Sequence, residues 1–385
     1  MDPLTHALSG ALIAQAAGRA RPGPGEPPLR VRAWVGCWAA LFPDVDGALR
    51  LVDELLYLEL HRGLTHSLVM LPLWALLVGG LFHLLYRRRY APGWMVFIAG
   101  LGIAVHILGD VITAYGTAVF APVSDFSPAL GWVLVIDPWL TLLLAAALAA
   151  TWHRPRPSVA AAGLAVVVAF VLFQGGLNRI ATALGDPLAA AAGDDAVEVR
   201  ALAQPFSPFN RMVIVEINGH YERARVNLLR RTTPRVNADH GRLWRLYRSY
   251  RPVHDPGWER FSLHPEAPER RALVDDAWTS PALGPYRAFA HHPVFYRLDR
   301  DSEVTCVWFT DLRYWYDPLP APFRFGGCRE SPDDDWRLHE LRFDNSRSAP
   351  LRTSGGSGRW CRPAAGRCWT GVADAASAPS REPWP

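Results

Sequence analysis

The chain has 385 residues, half of them apolar, and a formal net charge of +4. That length allows two domains. Its 40 basic residues are all arginine and form no stripe with interleaved aromatics, which argues against a nucleic-acid surface.

The averages hide a division, with residues 1 to about 180 rich in Ala, Leu, Val, Gly and Trp and the remainder holding most of the Asp, Glu and Arg. The start, Met1-Asp2-Pro3-Leu4-Thr5-His6, lacks a basic n-region, so no cleavable signal peptide is expected. Six apolar segments follow: Leu4–Ala17, Val31–Phe42, Ser67–Tyr86, Trp94–Thr113, Val133–Trp152 and Ser158–Leu177. The last four are long enough to span a bilayer, whereas the first two suit partial or tilted helices. Between the second and third, Leu49, Val52, Leu55, Leu56 and Leu60 have the spacing of an amphipathic interfacial helix over Ala48–Leu60. Thr65 is placed to cap the helix after it.

The connections alternate in charge. Arg19, Arg21, Arg30 and Arg32, then Arg87, Arg88 and Arg89, then Arg154 and Arg156, mark three turns as cytoplasmic, with Glu26 as the single acid among them. Residues 43–65, residues 114–132 and everything after Leu177 then face the opposite side. Beyond a linker at 181–194, runs such as Met212–Ile217 and Val304–Phe309, punctuated by Pro, Gly and Asp, predict a β-rich domain over 195–345. The tail, 346–385, has no apolar period and is expected to be disordered. Cys37 sits in an apolar segment, whereas Cys306, Cys328, Cys361 and Cys368 fall in the polar half and permit disulfides if that half lies outside the cytoplasm. The fold expected is an α-helical polytopic membrane bundle of four to six helices, followed by a small, mostly-β extracytoplasmic domain.

Within the first half, ionisable residues gather at segment ends. His61-Arg62-Gly63-Leu64-Thr65-His66 places two imidazoles and a guanidinium at the edge of an apolar run, and the two rings converge only if the chain bends between them. Asp2 and His6 flank the first segment, Asp44 and Asp46 follow the second, and Asp137 opens the fifth. His106 and Asp110, four apart, share one helix face just before Thr113, Tyr115, Gly116 and Thr117. In the alternating topology all of these reach the non-cytoplasmic side.

Imidazoles with carboxylates make an N/O site for Zn2+ first, with Mn2+ or Fe2+ as alternatives. The expected ligands are His6, Asp44, Asp46, His61, His66, His106 and Asp110, holding two or more ions. Arg62, Asp46 and Asp110 are the expected catalytic groups, Arg62 neutralising an anionic oxygen. Asp2, Thr65, Tyr115 and Asp137 form a second tier, of which Asp2 and Asp137 read equally well as helix caps.

The stretches MDPLTHALSG, FPDVD, HRGLTHS, HILGDVITAYGT and GWVLVIDPW, with QPFSPFNRMVIVE and FTDLRY further on, resemble the YdjM-like family of bacterial inner-membrane metal-dependent hydrolases, some of them under LexA control. The resemblance covers most of residues 1 to 315 and keeps the family's order. More distantly, the His/Asp pattern is similar to the zinc-dependent phospholipase C and nuclease P1 enzymes. It implies a multi-pass inner-membrane hydrolase acting on a lipid-like or phosphoester substrate at the outer face, with membrane lipid or a lipid-linked molecule as partner and no nucleic acid. The rival expectations are a transporter or ion relay, and a non-catalytic anchor for the β domain with a structural metal.

Overall fold

The computed structural model describes residues 1–341 and 349–350, apart from residues 20, 52–56, 58–59, 236–238, 240 and 301–303. The expected disordered tail apart from Ala349–Pro350, most of the proposed interfacial helix at 48–60, and Cys361 and Cys368 therefore lie outside the described residues.

All six apolar segments are helical: α1 (Pro3–Ala16), α2 (Leu29–Leu41), α3 (Leu71–Leu85), α4 (Pro92–Val111), α5 (Pro138–His153) and α6 (Pro157–Thr182). Four of them begin at a proline and α3 has Pro72 at its second position, where the fixed φ suits the first helical turn and the missing N–H costs nothing. α1 packs against α2, α4, α5 and α6, and α3 packs on α4. One apolar core, including Val35, Phe82, Met95 and Ile103, joins α2, α3 and α4. A second, including Leu12, Leu140, Leu144 and Val167, joins α1 to α5 and α6.

Of the four helices expected to span, α4 with 20 residues and α6 with 26 are long and apolar enough. At about 1.5 Å per residue they cover the roughly 30 Å of bilayer hydrocarbon. α3 and α5 come out shorter than their sequence segments. The Ser67 hydroxyl accepts from Val69 N and Met70 N and donates to Ala121 O, holding the start of the third segment in a turn. Pro138 sets the start of α5 after its segment has begun. Leu73, Leu76, Leu77, Leu81, Leu84 and Leu85 of α3, and Val166, Leu172, Phe173 and Ile180 of α6, stand exposed. An apolar surface of that extent fits a lipid environment rather than water.

The C-terminal region holds two antiparallel sheets. The first runs in order β1 (Ala196–Ala203), β2 (Asn210–Ile217), β3 (His220–Asn227) and β4 (Glu259–Ser262). Asn218 and Gly219, both at positive φ, make the two-residue turn between β2 and β3. A short helix, α7 (Asp186–Ala192), precedes β1, and α8 (Arg242–Ser249) lies between β3 and β4. The chain divides into two compact units, one holding residues up to Arg260 and a second starting at Phe261, so β1, β2 and β3 belong with the helices. Their link to the helices is direct: Ala203 N donates to Gly131 O, and Arg211 Nη2 donates to Gln174 O of α6.

The second unit contains α9 (Pro268–Thr279), α10 (Gly284–Phe289) and a sheet in order β5 (Pro293–Arg300), β6 (Thr305–Asp311), β7 (Phe325–Arg329), β8 (Arg337–Glu340) and β9 (Ala349–Pro350). Cys306 and Cys328 face each other across β6 and β7 and form a disulfide.

Candidate metal centre

Three helices approach each other through glycines. A Cβ on Gly10 of α1 would lie 2.3 Å from the Gly36 carbonyl of α2, and one on Gly102 of α4 would lie 2.8 Å from that same oxygen. His6 lies one turn before Gly10 and His106 one turn after Gly102, so the close approach brings the two rings together. They stack with centroids 3.6 Å apart. α2 gives way at Pro43 to a 3-10 segment, Pro43–Leu51, which carries Asp44 and Asp46 to the same end of the bundle.

The bend expected between His61 and His66 falls at Arg62, a non-glycine residue at φ 62°. That left-handed backbone costs about 1–2 kcal/mol. It is held in place by the carboxylate of Asp46 accepting from Arg62 N, by Ala118 N donating to Arg62 O, and by the buried guanidinium. His66 then sits in a 3-10 turn, Leu64–His66, fully buried. Thr65 is not the cap of α3, whose first turn begins at Leu71. Its hydroxyl is used on Asp46 and His66 instead.

Four donors meet. His66 Nε2 lies 3.0 Å from His106 Nε2, 3.3 Å from Asp110 Oδ2 and 3.5 Å from Asp44 Oδ1. His106 Nε2 lies 3.5 Å from Asp110 Oδ2 and 3.6 Å from Asp44 Oδ1. Around a cation bound at about 2.0–2.1 Å, the edges of a tetrahedron measure roughly 3.4 Å, and these separations cluster about that length. Asp44, His66, His106 and Asp110 are accordingly a possible metal-binding group.

Proton placement supports the same reading. Thr65 Oγ1 donates to Asp46 Oδ2 at 2.8 Å, which leaves its lone pairs to accept from His66 Nδ1 at 2.9 Å. His106 Nδ1 lies 2.6 Å from Ala40 O, a group that only accepts. Both Nδ1 atoms are thus donors, and both Nε2 atoms turn lone pairs toward one point. Two facing lone pairs repel unless a positive charge lies between them, and Asp110 Oδ2, buried there without a hydrogen bond, adds to the demand. Outside the helices, burial raises the pKa of Asp44, but the neighbouring imidazoles of His66, His106 and His6 outweigh it and bring it to about 2. His66 is pushed down by burial and drawn up, on balance, by Asp110 and Asp44.

The remaining expected residues surround these four. His6 Nε2 approaches Asp110 Oδ1 at 3.3 Å. Asp46 Oδ1 bonds His61 Nδ1 at 2.9 Å. Arg62 Nη2 reaches Asp110 Oδ1 at 2.9 Å, Nη1 reaches Thr113 Oγ1, and the guanidinium lies over the Tyr115 ring at 4.4 Å. The amino group of Met1 also donates to Asp110. Asp2 and Asp137 are occupied as helix caps, Asp2 accepting from Thr5 N and Asp137 from Trp139 N and Leu140 N. The Ala40 carbonyl escaped the sequence reading because a backbone oxygen leaves no mark in composition. Thr113 was visible only as one of several polar residues after Asp110.

Residues 1–180 match the family described as YdjM inner membrane protein. Every donor of the candidate centre lies inside that YdjM region. Over 127 residues the chain is 28% identical to the uncharacterized protein YfhP of Bacillus subtilis (strain 168), a stretch that is 33% of this chain and 38% of that one. The chain therefore spans well under half the length of this curated relative. No solved structure matches it.

Proposed function

We propose that the protein is a membrane-bound, metal-dependent hydrolase of the inner membrane, acting on an amphiphilic phosphoester at the outer face. The observation that carries this reading is the convergence of two imidazoles and two carboxylates, from three segments of the chain, with donor atoms within 4.8 Å of one another. Zn2+ suits such a donor set best, with Mn2+ or Fe2+ as alternatives. A divalent cation there supplies Lewis acidity and lowers the pKa of water to about 7. Asp44, the partly exposed member at 24%, marks the side from which substrate enters. Exposed Val45 and Leu64 beside the ligand-bearing turns suit a substrate with an apolar portion.

Within this reading His61 moves the proton. Its Nδ1 is held by the Asp46 carboxylate, leaving Nε2 as base, and its ring centroid is 5.6 Å from that of His66. Arg62 and Asp46 are positioning residues, since the guanidinium is committed to Asp110 and the carboxylate to His61, Thr65 and Arg62 N. A multi-pass topology with an extracytoplasmic C-terminal region agrees with the arginine-rich turns and with the Cys306–Cys328 disulfide.

A second reading, a structural metal without turnover, draws on the number of donors. Four protein ligands close a tetrahedron, whereas catalytic zinc sites keep a position for water. Metal content of the solubilised protein, followed by a panel of lipid and phosphoester substrates with metal-stripped protein as control, separates these. Hydrolysis should require the metal and be lost in His61→Gln with metal retained. Stoichiometric metal with no turnover favours the structural reading, and protein with no bound metal defeats both.

A further inference from the structure

α8 combines arginines with exposed apolar and aromatic side chains. Its sequence, Arg-Leu-Trp-Arg-Leu-Tyr-Arg-Ser, turns Leu246 inward, and Tyr250 just beyond is buried as well. Leu243, Trp244 and Tyr247 occupy the neighbouring arc and stand exposed at 63%, 46% and 37%. Trp244 and Tyr247 stack at 5.3 Å, with Arg248 over the first ring and Arg230 over the second. Residues 230–251 contain seven arginines, at 230, 231, 235, 242, 245, 248 and 251, against one acid, Asp239.

The helix is also continuous with the apolar face of α6. Phe173 of α6 packs edge-on against Phe209, and Phe206, in the same loop, packs edge-on against Tyr247. Phe206 is exposed and held at φ 75°, a strained backbone for an aromatic residue that presents its ring outward. A path of exposed or half-buried rings thus leads from a helix fit to cross a bilayer, near the end that bears the metal centre, to the arginine-flanked face of α8.

We infer that α8 and the Phe206 loop lie on the bilayer surface and bind anionic lipid headgroups, fixing the first sheet at the membrane beside the candidate centre. Amphipathic basic helices with Trp and Leu on one face dock in this way, and Trp and Tyr favour the headgroup layer. The inference rests on α6 being inserted in lipid, not on hydrolysis.

The test uses the full chain in nanodiscs of phosphatidylcholine alone or mixed with phosphatidylglycerol. Leu243→Cys carries a spin label, with Cys37, Cys361 and Cys368 replaced by serine, and a parallel sample carries the label at Leu172→Cys of α6. The Leu243 label should collide with oxygen rather than an aqueous nickel chelate, its oxygen-to-nickel ratio severalfold higher when phosphatidylglycerol is present. Arg245→Glu with Arg248→Glu should return that ratio to its phosphatidylcholine value. A water-exposed Leu243 label beside a lipid-exposed Leu172 label overturns the docking alone. A water-exposed Leu172 label removes its membrane premise. A Leu243 label shielded from both reagents overturns it in favour of a protein partner.

Discussion

Thr65 does its work through a single hydroxyl, giving its proton to Asp46 and taking one from His66, and so fixes which nitrogen of His66 faces the pocket. Outer partners of this kind commonly govern metal affinity by about 10–100-fold. Thr65→Val should therefore weaken metal retention by a factor in that range in a chelator competition, while Thr65→Ser retains it. Equal affinity in both variants would mean that His66 is oriented by other contacts. The carboxylates and imidazoles were legible in the sequence because buried ionisable groups at helix ends have few other uses. Which of them share one point was not legible. His61, a ligand by pattern, is bonded to Asp46 beside the four donors, its ring edge-on to that of His66 at 5.6 Å.

Between helices, the site depends on how closely α1, α2 and α4 approach. The Gly36 carbonyl occupies the space that a side chain on either Gly10 or Gly102 would need, and a Cβ on Gly36 itself would lie 2.3 Å from Gly10 O. Backbone cannot yield as a side-chain tip does, so Gly36→Ala should destabilise the bundle by about 1–3 kcal/mol and loosen metal binding. At Gly176 on α6 an added Cβ would meet nothing within 4 Å, and Gly176→Ala should be neutral or stabilising by up to about 1 kcal/mol. Thermal unfolding and chelator challenge of the two variants check both statements, and equal behaviour would refute the packing argument. Periodicity and apolar length located all six helices, but their ends were set by prolines and by the Ser67 hydroxyl.

Across the whole molecule, the second unit has its own response to acid. His339 of β8 is buried, and burial together with Arg337 lowers its pKa to about 4, so between about 6.5 and 4 the unfolded segment binds a proton that the folded one refuses. Stability therefore falls as pH drops through that window, on the order of 2–3 kcal/mol at its foot. Asp311 is fully buried; burial raises its pKa, but Arg313, paired with it at 2.8 Å, outweighs that and holds it low. Its contribution is present above the ordinary carboxylate pKa and is lost only at lower pH. Opening free energies of β5–β8 by hydrogen exchange should fall in those two stages, and His339→Gln should flatten the first. An unchanged slope in that variant would place the titration elsewhere.

What the sequence determined unaided was the division into an apolar helical half and a polar, strand-bearing half, together with the residue types of a cation site. Those follow from local periodicity and from the cost of burying charge, which each segment expresses alone. Tertiary structure decided that Asp44, His66, His106 and Asp110 share one point, that α3 and α5 are short, and that the first sheet joins the helices. These outcomes depend on glycine contacts, backbone carbonyls and a left-handed arginine, which acquire meaning only once distant segments touch.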